Sequence, residues 1–378
     1  MKKITTALLC IILLLAGITA CNKKDLQDSK PSQPGNPSQP GNPNNPEETY
    51  TIKVKAVISI GDILYDSIPA SLHITSWDAN HVPHHKAVNL QPGVNTLSLP
   101  KAHAKYQLKL SKWGIQDEMT FTKEQVSEGT VIGLGGNKAA KKLRLEEKFL
   151  LVEGAFRPEG KSVFYYHTNG SLKQVAYYQK KPHASELQKT LVDMYQYSGS
   201  NVSRIQRMDG AGQTVGFTAF TYNAQQTKVV NIHQKSYDQE TYAAVSYAYP
   251  TGRAEVTIDY LYSNGNAMEY VQTIKGGNKV ADAARTSTGG TERGTYTYDF
   301  NINPFAHMNM PNIYLSNISK NNLIGQEKGY GSNIPSGIPY HYEYSYDGEG
   351  YPITLLTSYK SFTTGEHLYK IKTVYSYQ

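Results

Sequence analysis

The sequence predicts an all-β protein: a small N-terminal β-sandwich, then a long tyrosine-rich antiparallel meander. Three observations carry this. Apolar and polar residues alternate with period two over much of the chain after residue 49, as half-buried strands require. Tyrosine is abundant and unevenly placed: of 30, only Tyr50, Tyr65 and Tyr106 precede residue 151, whereas both tryptophans, Trp77 and Trp113, lie in that first part. Tyrosine favours a pleated, half-buried surface. The apolar strand positions are also separated by Gly, Asn and Asp clusters at hairpin spacing.

Residues 1–20 read as a leader. Lys2 and Lys3 precede an apolar run from Ala7 to Ala16, and small residues lead up to a cleavage point. The run is short for a bilayer span, which needs about 20 residues. Ile18-Thr19-Ala20-Cys21 resembles a bacterial lipobox, which implies a diacylglyceryl group on Cys21 and cleavage just before it. Cys10 and Cys21 are the only cysteines. With the leader gone, no intramolecular disulfide, thiolate metal site or cysteine nucleophile remains. Loss of Lys2 and Lys3 takes the formal charge from +7 to +5, too thin for a nucleic-acid partner.

Residues 21–48 are a tether. Ser-Gln-Pro-Gly-Asn-Pro occurs at 32–37 and again at 38–43, and nothing between Ser29 and Glu48 could nucleate a core. The membrane is thus a partner through the lipid on Cys21. Lys23-Lys24-Asp25 partly resembles the surface-export signal of Bacteroidota lipoproteins, which favours the cell surface over the periplasmic face of the outer membrane.

Residues 49–148 give the sandwich. Ile52, Val54, Ala56, Ile58 and Ile60 share a face; Leu72 with Ile74, Leu97 with Leu99, and Tyr106, Leu108 and Leu110 alternate likewise. Gly61-Asp62, Asp78-Ala79-Asn80, Pro92-Gly93 and Trp113-Gly114 supply turns, and 122–128 allows a helical turn. Leu97-Ser-Leu-Pro100 and Tyr106 to Gly114 resemble a carboxypeptidase-regulatory-like, transthyretin-type domain, which implies a spacer or adhesive role. Asp78, His81, His84 and His85 carry metal-ligand chemistry, but Val82-Pro83 breaks any helix that would set their geometry, so they read as a solvated loop. Gly133-Leu134-Gly135-Gly136 lacks a phosphate-loop Lys-Ser/Thr and reads as a turn. Asp66-Ser67-Ile68 resembles the O-glycosylation site of Bacteroidota exported proteins and makes Ser67 a candidate for modification.

Residues 149–378 repeat a hairpin. Tyr165-Tyr166 to Leu172, Tyr195-Gln-Tyr197 to Val202, Tyr247-Ala-Tyr249 to Gly252, Tyr260-Leu-Tyr262 to Gly265, Tyr296-Thr-Tyr298 and Tyr342-Glu-Tyr344-Ser-Tyr346 share a template of paired tyrosines, a turn and an outgoing strand. Val256, Ile258, Tyr260 and Tyr262 face one way and Glu255, Thr257 and Asp259 the other; Tyr369 to Tyr377 alternate with Lys370, Lys372 and Ser376 in the same sense. One face is therefore covered and the other wet, unlike a lipid-facing barrel. The Gly-, Thr- and Ala-rich stretch 278–293 reads as a mobile loop.

Asn303-Pro304-Phe305, Ser319-Lys320-Asn321-Asn322 and Tyr344 to Pro352 occur in that order. Together they resemble a Bacteroidota lipoprotein family of unknown function with a porin-like fold. The resemblance spans about 150–378 and implies a long closed or nearly closed meander, with no catalytic residues to carry over. Glu343, Asp347 and Glu349 are carboxylates at one turn, but Asp347-Gly348 reads as turn chemistry and its acids as dispensable for stability. No Gly-x-Ser-x-Gly or His-Glu-x-x-His occurs. The expectation is a non-catalytic, lipid-anchored envelope protein without cofactor or metal, binding a glycan or protein partner or supporting an envelope complex. A barrel carrying a small apolar ligand and a glycan hydrolase are the alternatives.

Overall fold

The computed structural model describes residues 48–378 apart from 126, 183, 288, 290, 312–318, 331–339 and 361–366. The leader, Cys21 and the tether lie outside the described residues.

Eight strands come first: β1 (Thr49–Ile60), β2 (Ile63–Tyr65), β3 (Ala70–Trp77), β4 (Pro83–Leu90), β5 (Asn95–Pro100), β6 (Lys105–Lys112), β7 (Ile115–Thr122) and β8 (Val131–Lys138). They form two four-stranded sheets. In one, β1 pairs antiparallel with β2 and β5 and parallel with β8; the other runs β4-β3-β6-β7. The inward positions of β1 named from sequence are all buried and join Leu72, Ile74, Leu97, Leu99, Tyr106, Leu108 and Leu110 in one hydrophobic cluster. The expected helical turn is a 3-10 turn at Lys123–Gln125.

The glycine run at 133–136 is not a turn. It lies inside β8, with Gly135 opposite Val57 of β1. A Cβ on Gly135 would stand 1.8 Å from the Val57 carbonyl oxygen. Glycine is there because two backbones meet, which a turn reading misses.

Sixteen strands then close an antiparallel barrel. They are β9 (Leu143–Val152), β10 (Ala155–Tyr166), β11 (Leu172–Lys180), β12 (Leu187–Ser198), β13 (Asn201–Asp209), β14 (Thr214–Tyr222), β15 (Val229–Ser236), β16 (Gln239–Ala248), β17 (Ala254–Tyr262), β18 (Ala267–Lys275), β19 (Asn278–Thr286), β20 (Thr291–Ile302), β21 (Asn321–Tyr330), β22 (Tyr340–Tyr346), β23 (Pro352–Lys360) and β24 (His367–Tyr377). Closure comes from β24 against β9, with Ile371 opposite Leu150 and Tyr375 opposite Glu146. The barrel therefore starts at Leu143, and the position 148/149 falls within its first strand.

Five of the six tyrosine units are hairpins, as expected. The sixth is not: after Tyr296 and Tyr298, β20 runs on to Ile302 and leads into a 3-10 turn, Pro304–Met308. The stretch 278–293 is strand rather than loop, divided between β19 and β20. Two of its inward positions are charged. Lys279 and Asp282 pair at 2.7 Å, and the hydroxyls of Tyr270 and Tyr296 also donate to Asp282, at 2.5 and 2.8 Å. A charged, satisfied network fills the space that apolar side chains fill elsewhere, so the hydrophobic alternation disappears while the strands persist.

The two-sheet region docks on one end of the barrel through a continuous core. Ile302 and Tyr351 of the barrel belong to the same cluster as β1, β3 and β6, and Tyr377 packs against it. The Tyr65 hydroxyl donates to the Lys320 carbonyl at 3.1 Å, and Lys320 Nζ to the Leu64 carbonyl at 3.2 Å.

Candidate functional site

At that docked end, the tyrosines do one repeated job. Tyr166, Tyr197, Tyr222, Tyr247, Tyr298 and Tyr377 point inward and donate their hydroxyls to the carbonyls of Leu143, Leu172, Val202, Val229, Lys279 and Pro352, at 2.7–3.0 Å. Each bond ties the end of one strand to the start of the strand before it. Burial raises Tyr166, Tyr197, Tyr298 and Tyr377 above the ordinary pKa of a phenol, and Tyr222 to about 12, where Tyr247 and Tyr197 add to the effect. They remain donors throughout the physiological range.

The segment after β20 crosses the interior at the same end. Asn303 caps its 3-10 turn, accepting from Phe305 N at 3.0 Å and donating to the Ser319 carbonyl at 2.7 Å. Asn321 Nδ2 donates to the Asn301 carbonyl at 2.9 Å, and Asn322 N to Asp299 at 3.0 Å. Asp299 also accepts from the Tyr346 hydroxyl. Asn303, Ser319, Asn321 and Asn322 are buried. The motif residues Asn303-Pro304-Phe305 and 319–322 thus form a hydrogen-bond knot that pins this segment inside the barrel.

Above the knot, the lumen holds a cavity of about 760 Å³. One wall is charged. Arg207 Nε and Nη2 donate to the two oxygens of Asp193 at 2.7 and 2.8 Å, and the Tyr177 hydroxyl donates to Asp193 at 3.2 Å. Glu146 lies 3.7 Å from Lys148 and accepts from Ser162 Oγ at 3.3 Å. Asp193 is almost wholly buried, while the Arg207 side chain is 51% exposed. The Asp193 carboxylate holds the guanidinium proton even more firmly than usual. The rest of the lining is aromatic and apolar, with Phe164 and Tyr375 on the strands either side of Glu146: Phe305 meets them edge-to-face at 6.3 and 6.4 Å, with Met308, Met310 and Leu355 nearby.

A second cavity, of about 1030 Å³, lies by the barrel rim and the two-sheet region, lined by Asp62, Lys142, His167, Asn169, His307 and Asn309 among others. Burial depresses the His307 pKa to about 4, against a smaller opposing effect of Asp62, so its imidazole is neutral at pH 7.

The residues singled out from sequence sit elsewhere. Ser67 is exposed in the bend between β2 and β3. His84 Nε2 is 3.6 Å from Asp78 and its ring stacks on His103, while His85 bonds Thr75 at 3.1 Å. Among the described residues no three His, Cys, Asp or Glu side chains converge as a metal site would need. Glu343 is exposed on the outer wall. Asp347 and Glu349 are more than turn chemistry. Asp347 accepts from the N–H groups of Glu349 and Tyr351, both at 2.9 Å, and pairs with Lys141 at 2.7 Å; Glu349 pairs with Lys138 and, at 3.2 Å, with Lys141. The acids join this turn to β8 and the connector after it, so the reading that they are dispensable is corrected.

Sequence reasoning passed over Glu146, Lys148, Asp193 and Arg207. The signal was present: Asp193 shares the strand face of Tyr195 and Tyr197, and Arg207 that of Ile205. A charge on the aromatic face of a strand marks an inward polar group.

Fold and interior together define a β-barrel protein with one end crossed by an internal segment and a lumen that is part charged, part aromatic. No protein-family model matches the chain, and no curated protein does. Among solved structures it is similar to a porin-like protein from Bacteroides uniformis, at 14% identity and a TM-score of 0.44, over 62% of this chain and 98% of that one. A porin-like protein from Bacteroides vulgatus aligns at 12% identity and a TM-score of 0.33, over 63% and 99%.

Proposed function

We propose that this chain is an exported envelope lipoprotein, anchored by lipid on Cys21, that binds a small ligand in its barrel lumen and performs no chemistry on it. The observation that carries the reading is the 760 Å³ cavity inside a closed barrel, within the range of small-molecule sites. The tether holds the barrel off the membrane, and the two-sheet region acts as a sandwich-type spacer that covers one rim. Lys23-Lys24-Asp25 favours the cell surface over the periplasmic face.

The outer wall supports a barrel standing in water. Asp259, Glu269 and Glu343 are exposed there. The outward apolar row Leu145, Val163, Ala176, Val192 and Met208 is in register across β9–β13, extended by Tyr165 and Met194 on β10 and β12, and is bounded by Gln174 and Gln206 on one side and by Glu147 and Lys161 on the other. A bilayer-facing barrel presents an apolar band about 25 Å tall.

The charged wall weighs against a purely apolar ligand. It also weighs against a hydrolase. Glu146 and Asp193 are both inward, but both Asp193 oxygens are taken by the Arg207 fork and Glu146 is engaged by Ser162 and Lys148.

Two experiments test the reading. Cys21→Ala should abolish labelling by radioactive palmitate and release the chain from membranes; a variant still membrane-bound removes the anchor. Leu355→Trp, which places an indole in the cavity, should eliminate the ligand detected by native mass spectrometry of protein purified from envelopes. An unchanged ligand in that variant places binding outside the lumen.

A further inference from the structure

We propose that the lumen ligand is a neutral saccharide, with hydroxyls on the Asp193–Arg207 pair and an apolar ring face on the wall built by Phe305 and Tyr375. This rests on the lumen being the binding compartment and names what that compartment selects.

Charge is the first argument. Among the described residues, each charged side chain in the lining has a counter-charge: Arg207 with Asp193, Lys148 with Glu146, and Lys235 with Glu240, at 2.7, 3.7 and 3.4 Å. A carboxylate or phosphate ligand needs a cation that is not already neutralised. This wall offers polarity without net charge, which suits a polyol.

Geometry is the second. The bidentate clamp fixes the guanidinium plane and uses two of its N–H donors, leaving others on a side chain that is half exposed. The Tyr177 hydroxyl spends its one proton on the same carboxylate and is left to accept. Donors whose positions are set before binding lose little entropy when a hydroxyl arrives. A hydrocarbon chain laid on this wall would leave those donors and acceptors facing it unpaired, which is costly.

The third is the aromatic surface beside the charged residues. Phe164, Phe305 and Tyr375 make an edge-to-face group across β10, the crossing segment and β24. A sugar ring has the same division, hydroxyls at its edge and C–H bonds on its face, so aromatic and polar walls are both used.

The test uses the chain from residue 21 with Cys21→Ala, titrated by calorimetry with maltotetraose, cellotetraose, xylotetraose and chitotetraose, with laurate, and with inorganic phosphate. The expected result is binding of at least one tetrasaccharide, and of neither laurate nor phosphate. Arg207→Lys keeps the charge and loses the fork, and should weaken that binding by about tenfold or more. Phe305→Leu keeps apolar volume and loses the flat ring, with a similar loss, so the inference stands on a second variant if the first does not fold. Glu343→Gln, on the outer wall, should leave saccharide affinity within about threefold. Laurate bound with no saccharide bound overturns the inference and leaves the lumen reading standing; so does phosphate binding that Lys148→Met removes. Binding of no probe overturns both, as does saccharide binding that Leu355→Trp leaves unchanged.

Discussion

Gly350 is the position where one added carbon should matter most to the junction between the two-sheet region and the barrel. Its φ is +83°, a conformation that costs a side-chain-bearing residue about 1 kcal/mol. A Cβ there would also lie 2.3 Å from Trp113 Nε1 and 2.4 Å from Cδ1. Trp113 cannot easily yield: it is buried in the two-sheet core and packs edge-to-face on Tyr65 at 5.2 Å. Overpacking of this kind costs roughly 1–3 kcal/mol, so Gly350→Ala should destabilise by about 2–4 kcal/mol in all. Gly348→Ala, two residues away, has nothing within 4 Å of its Cβ and should stay within about 0.5 kcal/mol. Urea titration followed by tryptophan fluorescence reads both, because the displaced group is itself the reporter. Equal midpoints for the two variants would refute the claim that the turn is held against Trp113.

Tyr197→Phe removes only the hydroxyl that reaches the Leu172 carbonyl and should cost about 1 kcal/mol by urea melting, against nearly nothing for Tyr165→Phe on the outer wall. Equal costs would show that the rim bonds contribute nothing. Asp347 titrates below the ordinary carboxyl range: burial pushes it up, but Lys141 and the N–H groups of Tyr351 and Glu349 outweigh that. Its stabilising contribution is therefore complete above the unfolded value of about 3.9 and is lost as pH falls through the lower folded value. Urea midpoints between pH 6 and pH 2 should fall less steeply in Asp347→Asn than in the parent, and identical slopes would exclude this pair as a source of acid sensitivity.

Where local chemistry dominated, the sequence was legible. Period-two alternation placed β1, β17 and β24 with the correct inward face, and paired tyrosines before Gly or Asn turns marked five hairpins. Legibility failed where a polar group faced inward. Lys279, Asp282 and Gly294 erase the apolar alternation of β19 and β20, and Gly294 is small because a Cβ would meet Asp282 Oδ1 at 2.6 Å and the Tyr296 hydroxyl at 2.7 Å. The Gly133–Gly136 run misled for a related reason: close approach of two strands selects the same residue as a turn. Closure was unreadable from local pattern, because β9 meets β24 across more than 200 residues of chain. The charged lumen pair was hidden differently, since Asp193 and Arg207 come from adjacent strands and neither has a motif of its own.

The abundance of tyrosine follows from the size of the barrel. Eight strands enclose a space that side chains fill, whereas sixteen enclose enough for an aqueous channel. Here the interior is narrowed at one end by large inward side chains and by the crossing segment. Phenylalanine would fill volume equally well but would offer nothing to the carbonyls at strand starts. Tyrosine does both: its ring occupies the wide interior and its hydroxyl closes a bond to the preceding strand, at six places around one rim. Where the tyrosine is replaced, another inward polar contact stands in its place. Ile274 is the last inward residue of β18, and Lys279 reaches Asp282 just beyond it; Tyr346 ends β22 and turns its hydroxyl to Asp299. The rim is thus fixed by side chains as well as by the strand ladders. That rigidity allows the charged part of the lumen to stay partly open instead of collapsing into a packed core.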